Sequence, residues 1–391
     1  MAKDDAFTDD QKHCLKKSFS SYRQNTSSIA DTTQLSMSTT SYDRASEIKA
    51  FDETKAGVKG LVDAGITEVP RFFIHPTETI ISDSTTELQI PVIDMKDVNT
   101  RKKEIVEKVK EASETIGFFK VANHGVPNKV MDEMLDAIKR FMDDDDEGEK
   151  KKYYSRDNDR KVMFNCNYDL YSSPAANWRD TLIFRMAPDP PEKEEVPCAF
   201  REIVFDYSFH MKKLGEVLLE LLSEALGLKP DHLKEMECAH GIVAACHYYP
   251  PCPEPHLAIG TSKHSDPGFF TILLQDKSIS GLQMLHNNKW VDVPPSPGCL
   301  VINIADLLQL ISNDKLKTVE HRVLASKEGP RLSVACLFLN QYSPSRVYGP
   351  IMELLANGSA PIYREVVIDE FNKHYNTKRP DGMSALDHFK L

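Results

Sequence analysis

Between residues 100 and 230 the apolar positions recur at helical spacing. Ile105, Val109, Ala112 and Ile116 fall three or four apart and stop at Gly117, a residue suited to closing a helix in the left-handed conformation. Met131, Met134, Leu135, Ile138 and Phe141 form a second stripe; Leu214, Val217, Leu218, Leu221, Leu222 and Ala225 form a third, ending at Gly227. Each predicts an amphipathic helix with one face in a core. After about residue 241 the texture changes to short β-rich runs, Phe270 to Leu274, Leu300 to Ile304 and Leu332 to Leu339, punctuated by Gly and Pro. Such runs predict a sandwich or jelly roll. Pro91 to Asp94 and Phe118 to Val121 add strands from the first half, and a helix returns at Ile368 to Tyr375. The expected fold class is mixed α/β with a β-rich core, a jelly roll flanked by N-terminal and C-terminal helices. Residues 48–240 are expected as a mainly helical region contributing a few strands, 241–345 as the jelly-roll core and 346–391 as a C-terminal helical segment. Residues 1–47, rich in Ser, Thr and Asp with few bulky apolar groups, predict a disordered leader.

Composition narrows the function classes. At 391 residues with 41% hydrophobic and 8% aromatic residues, the chain has ordinary globular composition. A formal net charge of −11 argues against nucleic acid or an anionic membrane as partner, since either calls for a basic patch. The densest charge run, Asp143 to Asp146 with Glu147, Glu149 and Lys150 to Lys152, reads as a solvated helix end and loop. Eight cysteines show no Cys-x-x-Cys pair and no even framework, which argues against a disulfide scaffold. The N-terminal Met1 to Asp5 lacks the apolar stretch of a secretory signal, and no window reaches the ~18 apolar residues of a membrane span. A cytoplasmic monomer acting on a small molecule is the expectation. Gly57-Val58-Lys59-Gly60 and Gly281-Leu282-Gln283 lack P-loop spacing, and Asn357-Gly358-Ser359 matches a glycosylation acceptor only formally.

Candidate chemistry lies in His264-Ser265-Asp266, then His321, then Arg331-Leu332-Ser333. If His264 and Asp266 share a strand, they emerge on one face roughly 7 Å apart. His321 supplies a third ligand from a run in which Val319, His321 and Val323 alternate. Two imidazoles and one carboxylate suit a non-haem Fe(II) oxygenase. The first pair alone carries little, since 13 histidines and 59 acidic residues give about two His-x-acid matches by chance. Context raises it: Arg331 and Ser333 again share a strand face, and an arginine aimed into an enclosed site calls for an anion such as a carboxylate. Zinc is the chemical rival for such a donor set.

The stretch Tyr248-Tyr249-Pro250-Pro251-Cys252-Pro253, then Gly260, His264, Asp266, Gly281-Leu282-Gln283, Trp290 to Pro294, Asn303 and His321, resembles the plant 2-oxoglutarate- and iron-dependent dioxygenases. Ile90 to Asp94 and Gly117 to Pro127 extend the resemblance, which covers roughly residues 50 to 391. Gly57 to Ile66 and Asn167 to Tyr171 resemble the branch of aminocyclopropane-carboxylate oxidase homologues and deacetoxyvindoline-hydroxylase-like enzymes. The resemblance implies a double-stranded β-helix, with Fe(II) on His264, Asp266 and His321. It also implies that Arg331 and Ser333 hold the distal carboxylate of 2-oxoglutarate, that Tyr249 donates a hydroxyl and that His247 stands where many members have asparagine. An imidazole there raises the expectation of pH-dependent co-substrate affinity.

The expected reaction consumes O2 and 2-oxoglutarate, releases succinate and hydroxylates a small plant specialised metabolite, with ascorbate as reductant. Strand parity places Leu337 and Leu339 after Arg331 and Ser333 along an aliphatic wall, suggesting a bulky, fairly apolar substrate. Tyr168, Tyr171, Trp178 and Phe371, with Tyr375, are candidates to line the mouth. Two rivals stay open: an ascorbate-dependent oxidase of the aminocyclopropane-carboxylate type, and a jelly-roll protein that binds a metabolite without turnover.

Overall fold

The computed structural model describes residues 42–80, 88–144, 147–340, 343–355, 358, 360–377 and 385–391. The expected leader up to residue 41, Asp145 and Asp146 of the charge run, and Asn357 and Ser359 of the formal acceptor lie outside the described residues.

Twelve strands build two sheets: β1 (Val92–Asp94), β2 (Phe118–Ala122), β3 (Val162–Cys166), β4 (Asp180–Ala187), β5 (Gly241–Tyr249), β6 (Ile259–His264), β7 (Phe270–Gln275), β8 (Leu282–His286), β9 (Lys289–Asp292), β10 (Leu300–Ile304), β11 (His321–Leu324) and β12 (Arg331–Leu339). The larger sheet runs β1-β2-β10-β7-β12-β5-β4-β3 and the smaller β6-β11-β8-β9. From β5 onward the chain passes back and forth between them, with only the β8–β9 hairpin staying in one sheet. That is the jelly-roll pattern.

Period-2 alternation sorts the larger sheet into two faces. Ile242, Ala244 and Cys246 of β5, Ile272 and Leu274 of β7, and Val334, Cys336 and Phe338 of β12 join the main hydrophobic core. The intervening residues turn into a cavity between the sheets. The core face is covered by the three helices that the apolar stripes predict: α3 (Lys102–Thr115), α4 (Asn128–Asp143) and α5 (Ile203–Ala225). Gly117 follows α3 at φ +75°, and a Cβ there would lie 2.2 Å from the Lys317 carbonyl, so only glycine closes this helix against its neighbour.

Ahead of these come α1 (Arg44–Thr54) and α2 (Gly57–Asp63); α6 (Ile368–Thr377) follows the jelly roll. Ordered structure thus starts before residue 48. Asp43 caps α1 by accepting from the Ala45 and Ser46 N–H groups at 3.1 and 3.3 Å. The helix is hard to see in the pattern because only Ile48 and Phe51 are buried on it.

α2 explains the Gly57-Val58-Lys59-Gly60 sequence. The Val58 and Lys59 N–H groups each donate to the Asp180 carboxylate at 2.8 Å, so the loop cradles an anion from its own chain. Burial pushes the Asp180 carboxyl up to about 7, against the lowering effect of those two N–H donors. Gly57 sits at φ +70°, and a Cβ would fall 2.4 Å from Asp180 Oδ1. Gly57→Ala should therefore cost about 2–4 kcal/mol, combining left-handed strain with displacement of the carboxylate. A chemical-denaturation midpoint equal to that of the unsubstituted protein would refute the cradle.

Candidate active site

β6 and β11 are antiparallel neighbours, and their register sets His264 directly opposite His321. The two rings lie 4.2 Å apart between centroids. Each Nδ1 faces a backbone carbonyl, Ser262 O at 2.8 Å and Val319 O at 3.1 Å. A carbonyl only accepts, so the proton is assigned to Nδ1 and the Nε2 lone pairs are left for a ligand.

Asp266 does not share their strand. β6 ends at His264, and the turn beyond it brings Asp266 Oδ1 to 3.6 Å from His264 Nε2 and 3.7 Å from His321 Nε2. The same-strand reading of His264 and Asp266 is thus replaced by a strand end and a turn. Oδ2 is held from the opposite sheet by the Thr271 hydroxyl at 2.6 Å and the Asn303 amide at 2.8 Å. One donor atom from each of His264, Asp266 and His321 lies within 4.8 Å of the other two.

Electrostatics prepare this set. Burial alone would raise the Asp266 carboxyl, but His321, His264 and the bonds from Thr271 and Asn303 hold it below the usual carboxylate range. His264 is pushed down to about 4, first by burial and then by His321. At neutral pH the group therefore offers an ionised carboxylate and an uncharged His264, the protonation states that a divalent ion requires.

Arg331 opens β12 and is 3% exposed. Its Nη2 donates to Gln275 Oε1 at 3.0 Å and its Nη1 to Ser333 Oγ at 3.4 Å, while Nε has no partner. Among the described residues no carboxylate lies within ion-pair distance of it, so a buried cation faces the cavity with only the more distant charge of Asp276 to offset it. The Tyr249 ring packs 5.0 Å from the guanidinium, and the Tyr249 hydroxyl is engaged with Thr261 Oγ1 at 3.1 Å. His247, directly across from Ser333, bonds Thr181 Oγ1 through Nδ1 at 3.1 Å. Burial, then Arg179 and Arg331, drive the His247 imidazole well below its ordinary value. The expected titration near neutrality is corrected accordingly: His247 stays uncharged there.

The cavity measures about 640 Å³, within the range of small-molecule sites. Leu337, Leu339 and Tyr168 line it; Tyr171, Trp178 and Phe371 do not. Tyr171 lies on the surface and donates to Asp52 at 2.8 Å. Trp178 is fully buried against Phe73 at 5.1 Å in the core beneath α1 and α2. Phe371 packs on Phe389 at 5.4 Å, about a quarter turn round α6 from Ile368, Asn372, Tyr375 and Asn376, which do face the cavity. The Tyr375 hydroxyl also donates to Ser265 O at 2.6 Å, fastening α6 to the turn between His264 and Asp266. Sequence reasoning missed the wall formed by Arg179, Thr181, Ile183 and Arg185. Their period-2 spacing, offset from the buried Leu182, Phe184 and Met186, was the available signal.

Removing the Asn303 support should loosen Asp266. Asn303→Ala is expected to weaken metal binding about 10- to 100-fold, measured by anaerobic Fe(II) titration; unchanged affinity would deny Asn303 this role.

Residues 240–340 match the 2OG-Fe(II) oxygenase superfamily, and residues 90–203 match the N-terminal region described as non-haem dioxygenase in morphine synthesis. The chain is 52% identical over 356 residues to 1-aminocyclopropane-1-carboxylate oxidase homolog 1 of Arabidopsis thaliana, covering 89% of this chain and 97% of that relative. It is 50% identical over 358 residues to deacetoxyvindoline 4-hydroxylase of Catharanthus roseus, covering 88% and 89%. A crystal structure of JOX2 in complex with 2OG, Fe and JA superposes with a TM-score of 0.76 at 28% identity, covering 86% of this chain and 97% of that one.

Proposed function

The chain belongs to the 2OG-Fe(II) oxygenase superfamily, and within it we propose that it hydroxylates a small specialised metabolite in the cavity between its two sheets. The observation that carries the reading is a buried Arg331, without a direct carboxylate partner among the described residues, sharing one cavity with three converging metal-donor atoms. A dicarboxylate that also meets the metal answers both.

His264, Asp266 and His321 would hold Fe(II), a donor set suited to it. When bound, the metal supplies dioxygen activation, coupling decarboxylation of 2-oxoglutarate to succinate and carbon dioxide with oxidation of the substrate. Arg331 and Ser333 take the far carboxylate, and Gln275 fixes the plane of the guanidinium. His247, uncharged, and Tyr249 shape the floor between that carboxylate and the metal donors. Aliphatic side chains from β5 and β12 exclude water from the reacting carbon. The Catharanthus roseus relative is a 4-hydroxylase and JOX2 was crystallised with 2OG and Fe, both in keeping with this assignment.

Ascorbate as reductant, a monomeric state and a cytoplasmic location complete the proposal. The location and the lack of a nucleic-acid or membrane partner draw support from three features. The net charge is −11, the described cysteines are free thiols, and no described helix is long and apolar enough to cross a membrane.

Anaerobic addition of Fe(II) and 2-oxoglutarate to the apo-protein should produce the weak visible charge-transfer band of a chelated keto acid, and His264→Ala should abolish it. Iron binding without that band would sink the co-substrate assignment. Arg331→Ala should weaken 2-oxoglutarate binding by about 1.5–3 kcal/mol, roughly 10- to 150-fold; an unaltered titration midpoint would remove Arg331 from the site. Asp266→Ala should end succinate release, whereas substrate oxidation by the unsubstituted protein without succinate would favour the ascorbate-dependent oxidase.

A further inference from the structure

The cavity carries a charge that the metal and co-substrate leave unmatched. Its charged lining residues are Arg179, Arg185 and Arg331 against Asp159 and Asp266, one cation in excess. Fe(II) and the 2-oxoglutarate dianion cancel each other, so the excess persists after both have bound. At the outer end, Arg185 is engaged by the Arg160 and Asn158 carbonyls, and Asp159 is exposed to solvent. Arg331 is matched by the co-substrate's far carboxylate. Of the two cations that the co-substrate does not match, Arg179 is the one with a buried donor left without a partner.

Arg179 immediately precedes β4, whose first residue, Asp180, is anchored by α2. Its Nη1 donates to Thr261 Oγ1 at 2.9 Å, Nε is buried without a partner, and among the described residues no carboxylate pairs with it. The guanidinium is half-buried with its Nε shielded from water and unpartnered, so a donor is left for an anion in the cavity, and its planar fork matches a carboxylate. Beyond it the wall is aliphatic, with Ile183, Val243, Ala335, Leu337 and Leu339. The expectation of a fairly apolar substrate is thereby refined.

We propose that the substrate is an amphiphilic monoanion: an apolar body lies on the β5 and β12 wall, and a single carboxylate-class group is received by Arg179. The inference rests on the cavity being the substrate site of the oxygenase reading. Arg179 thus acts as a specificity determinant, distinct from the arginine that holds the co-substrate.

The full-length protein, loaded anaerobically with Fe(II) and 2-oxoglutarate, would be titrated with a panel of medium-chain alkanoic and arylalkanoic acids beside their methyl esters. Perturbation of the visible band reports binding. At least one acid should bind about tenfold or more tighter than its ester, the effect of one charge-assisted contact. Arg179→Gln should erase that preference while keeping 2-oxoglutarate affinity within about twofold, and Arg179→Lys should retain the preference. Equal binding of acids and esters, or binding of no acid, overturns the proposal and leaves the oxygenase reading standing. A loss of 2-oxoglutarate affinity in Arg179→Gln as large as in Arg331→Ala also overturns it, making Arg179 a co-substrate anchor. Failure of the band to form in the unsubstituted protein removes the oxygenase reading and this inference together.

Discussion

A slip of one residue between β6 and β11 would turn His321 to the far face of its sheet and dismantle the site, because side chains alternate at every step of a strand. Pairing of β11 with β8 on its other side, where His321 lies opposite Met284, resists that slip. The larger sheet then supplies what the smaller one lacks. Thr271 on β7 and Asn303 on β10 reach across to the Asp266 carboxylate, so the three donor atoms are positioned from both layers. The cavity exists because the two sheets hold those groups apart on one side and together on the other.

Legibility in the sequence followed period and spacing. The helical stripes through Ile105, Met131 and Leu214 reappear as α3, α4 and α5, since a 3.6-residue repeat of bulky apolar groups has few other ways to be buried. Arg331 and Ser333 on β12 were readable for the same reason with period two. Direction was harder than identity. Trp178 and Phe371 are aromatic residues adjacent in sequence to cavity-lining positions, yet each packs into apolar surroundings instead. β4 went unseen because one of its faces is polar, and a search for apolar runs passes over a strand whose alternate positions are Arg, Thr and Ile.

Two arginines, each with a buried and unpartnered Nε, divide the cavity's electrostatics. Arg331 is braced by Gln275 and flanked by the Tyr249 ring; Arg179 bonds Thr261, which in turn meets the Tyr249 hydroxyl. The tyrosine therefore links the surroundings of both cations, its ring serving one and its hydroxyl the other's partner. His247 beside them remains uncharged because burial first, and then both guanidinium groups, oppose a third cation in that space.

The period-2 alternation of β4 separates two inheritances. Leu182, Phe184 and Met186 belong to the core beneath the helices, while Arg179, Thr181, Ile183 and Arg185 look into the cavity. The second set stands apart from the core residues of the first, and the Asp266 carboxylate is held instead by Thr271 on β7 and Asn303 on β10. A lineage built on this scaffold can thus diverge in what it recognises through a handful of replacements on one strand, without renegotiating foldability or iron chemistry.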